Sequence, residues 1–177
     1  MTERVPKDVT NLDRYGSPAL PWSRPRDLLA APPTPDLSGD EGPAYLATSR
    51  PDGRPHVAGI VPRWYDDLYF VSGPETRKSR NLAQNPACTI AISLKGIDLV
   101  CEGEARRITE PTTLEAVAAF YRAGGWPAEV EGDAFTAPYS APSAGPPPWH
   151  LYRFTLHTAF GVATAEPSGA TRWRFDR

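Results

Sequence analysis

The sequence predicts a small, mainly β protein in which six or seven antiparallel strands form a closed barrel with two helices between them. Short runs of strand-forming residues recur along the chain and are separated by turn signals that contain Pro and Gly. After residue 43, two segments have the spacing and the capping residues of helices. The chain of 177 residues is long enough for one domain with its own core.

The composition of the chain argues against several classes of function. The net charge is -2 and the pI is about 5.9, without a basic stripe, so we expect no nucleic-acid binding. No apolar run approaches the length of a membrane span, and the N-terminus lacks the layout of a signal peptide. Cys88 and Cys101 fall in strand patterns and are expected to be buried free thiols. Two cysteines with three scattered histidines do not make a zinc site, and we expect a cytoplasmic protein without a metal.

Residues 1–42 are expected to form an extension that precedes a domain of residues 43–177. The extension is polar at first and then carries apolar anchors, namely Tyr15, Leu20, Trp22, Leu28 and Leu29. A short helix is expected after Ser23, because Pro25 suits a first helical turn. We expect this extension to wrap the domain or a partner subunit. The alternative for its beginning is a disordered tail.

The domain opens with three predicted strands. Residues 45–48 form the first, and Pro51-Asp52-Gly53 is a turn signal in which Pro sets φ and Gly supplies a positive φ. Residues 55–62 form the returning strand. A second turn at Asp66-Asp67 leads to a third strand, 68–72, so an antiparallel meander is expected.

The stretch from Ser72 to Pro86, SGPETRKSRNLAQNP, predicts a turn followed by a short helix. The Thr76 hydroxyl can cap this helix by accepting from a free N–H of the first turn, and Pro86 ends it. Arg77 and Lys78 stand at the N-terminal end, where the helix dipole disfavours cations. A bound phosphate would resolve that conflict, because N–H groups, dipole and side-chain charge would converge on it. The alternative is that both side chains extend into water.

The remaining strands flank one longer helix. They are expected at 87–94, 97–108, 149–166 and 169–175. The helix is expected from Thr112 to Ala123, with Thr112 and Glu115 as a capping box. Residues 126–148 form a long loop that becomes Pro-rich toward its end. Such loops often act as lids or contact a partner. The alternative is that this loop, stiffened by its prolines, only runs across the protein surface.

This order of elements resembles the FMN-binding split barrel of the pyridoxamine 5'-phosphate oxidase type, whose relatives include users of the deazaflavin coenzyme F-420. The similarity covers residues 43–175. Its most specific part is T-R-K-S-R-N-L-x-x-N-P, which matches the family's phosphate-binding turn, and ATSRPDGRPHV is also characteristic. The resemblance implies a six- to seven-stranded antiparallel split barrel. It also implies a homodimer with the cofactor at the subunit interface.

The resemblance implies specific cofactor-binding residues. Arg77 and Lys78 would contact the cofactor phosphate, and Thr76 would add a hydroxyl. The second strand would run beneath the ring through Val57, Ala58, Gly59, Ile60 and Val61. Val71 and Ser72 would also line the cofactor.

Three further positions correspond to the family less closely. Asp98 falls near a glutamine that reaches the cofactor from the other subunit, although an aspartate has no amide donor. Phe160 stands where the family has an aromatic ring on the cofactor, and the alternative is an ordinary core residue. Arg174 stands near the position of a second arginine close to the last strand.

Two departures from the family bear on the substrate. Val61-Pro62-Arg63 occupies the region of a substrate-phosphate lysine, and Arg172-Trp173-Arg174 replaces a terminal arginine-histidine motif. The implied activity is therefore hydride transfer to or from a small organic substrate other than pyridoxamine phosphate. Because the cofactor carries the chemistry, no side chain is expected to act as nucleophile or base. His56 is the one candidate, and its alternative role is structural.

The sequence favours FMN, because one compact cationic turn suits a single terminal phosphate. Coenzyme F-420 is the alternative, and its longer acidic tail would need further cations such as Arg54, Arg63 and Arg80. A non-catalytic flavin carrier is a third interpretation. Tyr139 and Ser140 are candidates for substrate contact if the late loop acts as a lid.

Overall fold

The computed structural model describes residues 4–31, 43–141 and 144–176. Its elements are β1 (Asp8–Asn11), α1 (Ser23–Leu29), β2 (Ala44–Ser49), β3 (Pro55–Ile60), β4 (Arg63–Trp64), β5 (Leu68–Ser72), α2 (Arg77–Gln84), β6 (Ala87–Leu94), β7 (Ile97–Ile108), α3 (Pro111–Ala123), β8 (Glu129–Glu131), β9 (Ala134–Thr136), β10 (His150–Ala163) and β11 (Ala170–Arg174). All seven strands and all three helices that the sequence predicted are present. The β8–β9 hairpin lies in the segment predicted as loop, because strands of three residues carry no periodicity signal.

One antiparallel sheet organises the fold, so the predicted mainly β class is confirmed. Its order is β3-β2-β6-β7-β10, and β7 follows one edge of β10 along almost its whole length. The other edge of β10 forks: residues 150–154 pair with β5, and residues 158–162 pair with β11. The short strands β4 and β1 extend these two branches. A single strand therefore belongs to both halves of the sheet.

The described part of the N-terminal extension packs against the chain's own sheet. β1 pairs with β11, and the Leu20 amide donates a 2.7 Å hydrogen bond to the Thr171 hydroxyl. The Trp22 ring packs edge-on against Phe175, with ring centroids 4.8 Å apart, and it also contacts Trp173. Of the anchors that the sequence pattern predicted, Leu20, Trp22 and Leu29 are buried and Leu28 is half-buried. Tyr15 was wrongly predicted, because its side chain is 97 % exposed.

The N-terminus of α3 differs from the predicted capping box. The cap residue is Glu110, whose carboxylate accepts from the amides of Thr112 and Thr113 at 2.9 and 2.7 Å. Pro111 occupies the first helical position, where its missing N–H costs no hydrogen bond. The helix therefore begins one residue earlier than predicted, and Thr112 lies inside its first turn. The Thr113 hydroxyl, which donates to the same carboxylate at 2.6 Å, and these two amides hold the pKa of Glu110 at about 2.

Glu110→Ala is expected to lower the thermal midpoint clearly more than Thr112→Ala does, because only Glu110 accepts hydrogen bonds from the free amides. The folded-state pKa of Glu110 lies below its ordinary value of 4.5, so the carboxylate's contribution is present above pH 4.5 and is lost as the pH falls toward about 2. Thermal unfolding of both variants and wild type across that range measures the effect. Equal losses in the two variants at neutral pH would contradict this assignment of the cap.

The two faces of the sheet are covered differently. The inner face holds the main core, which includes Leu46, Phe70, Ile90, Leu99, Phe154 and the buried free thiols Cys88 and Cys101. On the outer face, α3 and the β8–β9 hairpin cover β5 and the first half of β10, where Leu114, Val117, Phe135 and Leu151 form a second core. The rest of the outer face carries exposed apolar side chains, among them Tyr45, Val57, Val100 and Val162. None of the helices in the described part of the chain is long and apolar enough to cross a membrane.

Candidate functional site

A cavity of about 490 Å³ opens where β3 and β5 end and α2 begins. Residues of these elements and of the segment between β3 and β5 form one wall, namely Gly59, Ile60, Val61, Arg63, Val71, Ser72 and Lys78. The opposite wall comes from the end of α3 and the segments that follow it, through Phe120, Tyr121, Gly124, Gly125, Trp126, Tyr139, Ala141, Ala144 and Trp149. The cavity therefore combines a polar wall at a helix N-terminus with an aromatic wall.

The start of α2 is held by a cluster of hydroxyl groups. Thr76 has an extended backbone, and its hydroxyl accepts from the Ser79 amide, so the predicted cap is confirmed. The Ser72 hydroxyl lies 2.9 Å from the hydroxyls of both Thr76 and Ser79. This cluster fixes the end of β5 against the first turn of α2. The free amides of that turn are consequently held in place beside the cavity.

Lys78 is the most informative residue of the polar wall. Its side chain lines the cavity, yet the residue is only 7 % exposed. Within the described residues it has neither an ion pair nor a hydrogen-bond partner for its ammonium group, and burial lowers the pKa of Lys78. A buried charge without a partner is costly, so this arrangement fits a site that receives an anion. The neighbouring Arg77 is exposed and likewise lacks an acidic partner among the described residues.

The strand β3 presents a free backbone edge to the cavity. Among the described strands it pairs only with β2, so its second edge has N–H and C=O groups available. A Cβ atom built on Gly59 would meet nothing within 4 Å, which shows that the space above this residue is open. A flat ring can therefore approach the backbone here, as the small residues at 58 and 59 had suggested. Val57 and Gly59 lie on the outer face, whereas Ala58 and Ile60 lie on the inner face.

The aromatic wall was largely missed by the sequence analysis. The rings of Tyr121 and Trp126 meet edge to face with centroids 5.0 Å apart, and Trp126 lies 5.9 Å from Trp149. The Trp126 indole N–H donates to the Tyr139 hydroxyl. Tyr139 had been singled out, but Phe120 and Trp126 had not. The signal available was the dense aromatic run FYRAGGW around the end of α3.

The predicted cofactor residues fall into three groups. Six of them line the cavity: Gly59, Ile60, Val61, Val71, Ser72 and Lys78. Three flank it, because Ala58 belongs to the same strand, Thr76 caps α2 and Arg77 opens that helix. The other four, Val57, Asp98, Phe160 and Arg174, lie on the outer face of the sheet and do not line this cavity. Ser140 does not line it either, and the described residues contain no cluster of three metal-ligand side chains.

The family model for pyridoxamine 5'-phosphate oxidase matches residues 37–163 of this chain. No curated protein matches the sequence. Among solved structures, the chain is similar to an FMN-binding protein related to pyridoxamine 5'-phosphate oxidase from Nostoc punctiforme. That similarity has a TM-score of 0.58 and 19 % identity, and it covers 89 % of this chain and 91 % of the other.

Two other solved structures share the fold. A putative 5-nitroimidazole antibiotic resistance protein from Bacteroides thetaiotaomicron matches with a TM-score of 0.57 and 14 % identity over 100 % of this chain and 97 % of the other. PhzG from Burkholderia lata, in complex with tetrahydrophenazine-1-carboxylic acid, matches with a TM-score of 0.51 and 17 % identity over 76 % of each chain. The identities are low, so these structures establish the split-barrel fold alone.

Proposed function

This chain belongs to the pyridoxamine 5'-phosphate oxidase family, and we propose that it is an FMN-dependent oxidoreductase that acts on a small organic substrate. The observation that carries the proposal is Lys78, a buried residue that lines the cavity beside the free amides of α2 and whose ammonium group has no partner among the described residues. A phosphate group supplies the missing negative charge and accepts from those amides. The open backbone edge at Gly59 leaves room for the flat ring.

In this proposal the protein binds and orients, and the bound flavin supplies the capacity to exchange a hydride with the substrate. Lys78 and the first turn of α2 would hold the phosphate group. The backbone of β3 would contact the ring, and the aromatic wall around Trp126 would exclude water from the rest of the cavity. Excluding water strengthens the polar contacts that remain.

We infer that the substrate differs from pyridoxamine phosphate. The sequence Val61-Pro62-Arg63 stands where the vitamin-processing enzymes have a lysine, and the terminal arginine-histidine motif is absent from Arg172-Trp173-Arg174. The wall opposite the polar side is aromatic and mostly uncharged. A substrate with a flat apolar part fits that wall better than a highly charged one.

Titration of the apo protein with FMN, and separately with coenzyme F-420, tests the proposal. We expect FMN to bind more tightly and to be reduced or reoxidised by the holoprotein in the presence of a nicotinamide cofactor or oxygen. Tighter binding of coenzyme F-420 would mean that the cofactor is the deazaflavin and not FMN. Tight FMN binding without turnover of any donor or acceptor would make the protein a flavin carrier, and binding of neither cofactor would overturn the oxidoreductase proposal.

We also propose that the protein is a homodimer that pairs through the exposed part of the outer face. Asp98, Phe160 and Arg174 lie on this face and do not line the chain's own cavity, which supports a role for them at the cofactor of a partner subunit. The face also carries a row of apolar residues across five strands, formed by Gly59, Tyr45, Ala91, Val100 and Phe160. A row of this kind is unusual on a monomer surface.

Light scattering at micromolar concentration is expected to give about twice the 19.3 kDa mass of one chain. Val100→Glu is expected to give a monomer, because it introduces a charge in the middle of the apolar row. Ala119→Glu, at an exposed position of α3, is the matched control and should leave the dimer intact. A monomeric mass for wild type would exclude both the dimer and a shared site.

A further inference from the structure

A second group of unpartnered nitrogen atoms lies next to the site of Lys78. His56 is on the inner face of β3, opposite Thr48 of β2. The Thr48 hydroxyl accepts a 2.9 Å hydrogen bond from the Asn81 side chain, and Asn81 follows Lys78 by one turn on the same face of α2. His56 therefore lies near α2, and Arg77 and Lys78 are close enough to act electrostatically on its imidazole.

Two atoms of this group are buried without a hydrogen-bond partner among the described residues: Nδ1 of His56 and Nε of Arg50, at the end of β2. Buried polar atoms without partners are rare in folded proteins, and each calls for an explanation. The acid of the intervening turn, Asp52, is paired with Arg54 at 2.7 Å. No carboxylate of the turn is therefore free to serve these two nitrogens.

The charged groups that bear on His56 are all cations. They are Arg50, which directly follows β2, together with Arg77 and Lys78 from α2. Burial, followed by these three positive charges, lowers the pKa of His56 below its ordinary value of 6.5. In the free protein the imidazole is consequently neutral at pH 7. Arg77 and Lys78 have no acidic partner among the described residues, whereas Arg50 is close enough to Asp52 to help lower the pKa of that carboxyl.

We propose that His56 and Arg50 complete the phosphate site, and that His56 takes up a proton when a phosphomonoester dianion binds there. The proposal rests on the FMN-binding function proposed above and adds two residues that the family comparison does not assign. A phosphomonoester suits this site because its two negative charges are concentrated on one group. The phosphodiester tail of a deazaflavin spreads its charge over a longer chain and would match a compact cationic cluster less well.

The sign of the proton linkage follows from the charges. A bound dianion offsets the cations around His56 and raises its pKa, so a proton is taken up at any pH between the free and the bound pKa values. FMN affinity should accordingly increase as the pH falls through the bound-state pKa, by up to tenfold for each unit of pKa rise. The phosphate has the opposite effect, because its own second pKa is about 6 and binding to cations favours the dianion. At pH 7.5 that release is small, so uptake by His56 dominates.

Isothermal titration calorimetry of the apo protein at pH 7.5, in two buffers of different ionisation enthalpy, measures the proton count directly. We expect wild type to take up a fraction of a proton with FMN and none with riboflavin, which lacks the phosphate. His56→Gln should lose the proton uptake and bind FMN several-fold more weakly. The small proton release from the phosphate of FMN should be the same as with wild type. Equal proton counts for wild type and His56→Gln would overturn the proposal while leaving FMN binding intact.

A second measurement does not depend on the folding of the variant. The pKa of His56 can be followed by NMR in wild-type protein, free and loaded with FMN, and we expect it to rise on loading. An unchanged or lowered pKa would overturn the proposal. Failure of wild type to bind FMN would overturn both this proposal and the proposed function, so the two failures are distinguishable.

Discussion

The double variant Arg77→Ala/Lys78→Ala is expected to bind FMN at least about a hundredfold more weakly than wild type. Each charge-assisted phosphate contact contributes roughly 1.5–3 kcal/mol, and the Lys78 contact is buried. Stability should respond in the opposite direction. Because Lys78 has no ion pair within the described residues, removing it relieves a buried charge and should leave the apo protein at least as stable as wild type. Fluorescence titration with FMN and thermal unfolding of the apo protein measure the two effects.

Arg80→Ala is the matched control for this variant. Arg80 lies on the same short helix, is half exposed and reaches the Glu75 carboxylate only at 3.8 Å. Its removal should change neither FMN affinity nor stability appreciably, because an exposed ion pair contributes little. If Arg80→Ala weakened FMN binding as much as the double variant, the general positive charge of α2 would account for binding. If the double variant bound FMN as tightly as wild type, FMN would not bind at the N-terminus of this helix.

Gly103→Ala is expected to destabilise the protein by about 3 kcal/mol, at the upper end of the range for overpacking. Gly103 lies in β7 opposite the irregular part of β10, and a Cβ atom there would overlap the carbonyl oxygen of Thr155 and lie 2.9 Å from the Phe154 ring. The carbonyl belongs to the sheet backbone and cannot move aside cheaply. For a chain of this length the thermal midpoint should fall by roughly 6 to 12 °C, which differential scanning calorimetry measures.

Gly59→Ala is the control, since a Cβ atom at Gly59 meets nothing within 4 Å. This variant should retain nearly the wild-type thermal midpoint but bind FMN more weakly, because the added methyl occupies the space above β3. Gly103→Ala is thus expected to change stability, and Gly59→Ala is expected to change cofactor binding. Similar midpoints for Gly103→Ala and wild type would mean that β7 and β10 can move apart at the irregularity.

Local features were predicted well from the sequence, and features that depend on distant contacts were not. The helix after Thr76 and its cap were predictable because the hydroxyl, the cations and the terminating Pro86 lie within a few residues of one another. The cap of α3 was assigned to Thr112 because a capping-box pattern was present. In the structure the Glu110 carboxylate accepts from the amides of Thr112 and Thr113 instead, because the helix already begins at Pro111.

In the candidate site, too, local features were predicted and features that depend on distant contacts were not. Lys78 and Ser72 were predicted to bind the cofactor from the family resemblance, and both line the cavity. Its aromatic wall comes from residues 40 or more positions further along the chain, and no pattern in α3 indicates that Trp126 folds back over β5. For Phe160, the motif could not say which face of β10 it occupies, because the register shift between Leu156 and Thr158 reverses the alternation.

The forked strand β10 also has a consequence for biosynthesis. Until residues 150–154 leave the ribosome, β5 has β4 as its only partner strand among the described elements. The end of β5 at Ser72, opposite His150, carries the hydroxyl that anchors α2. A nascent chain can therefore complete its first hairpins early, whereas the proposed phosphate site forms only after most of the chain has been synthesised. Cofactor capture should consequently follow translation, because the pairing that shapes the site joins segments about 80 residues apart.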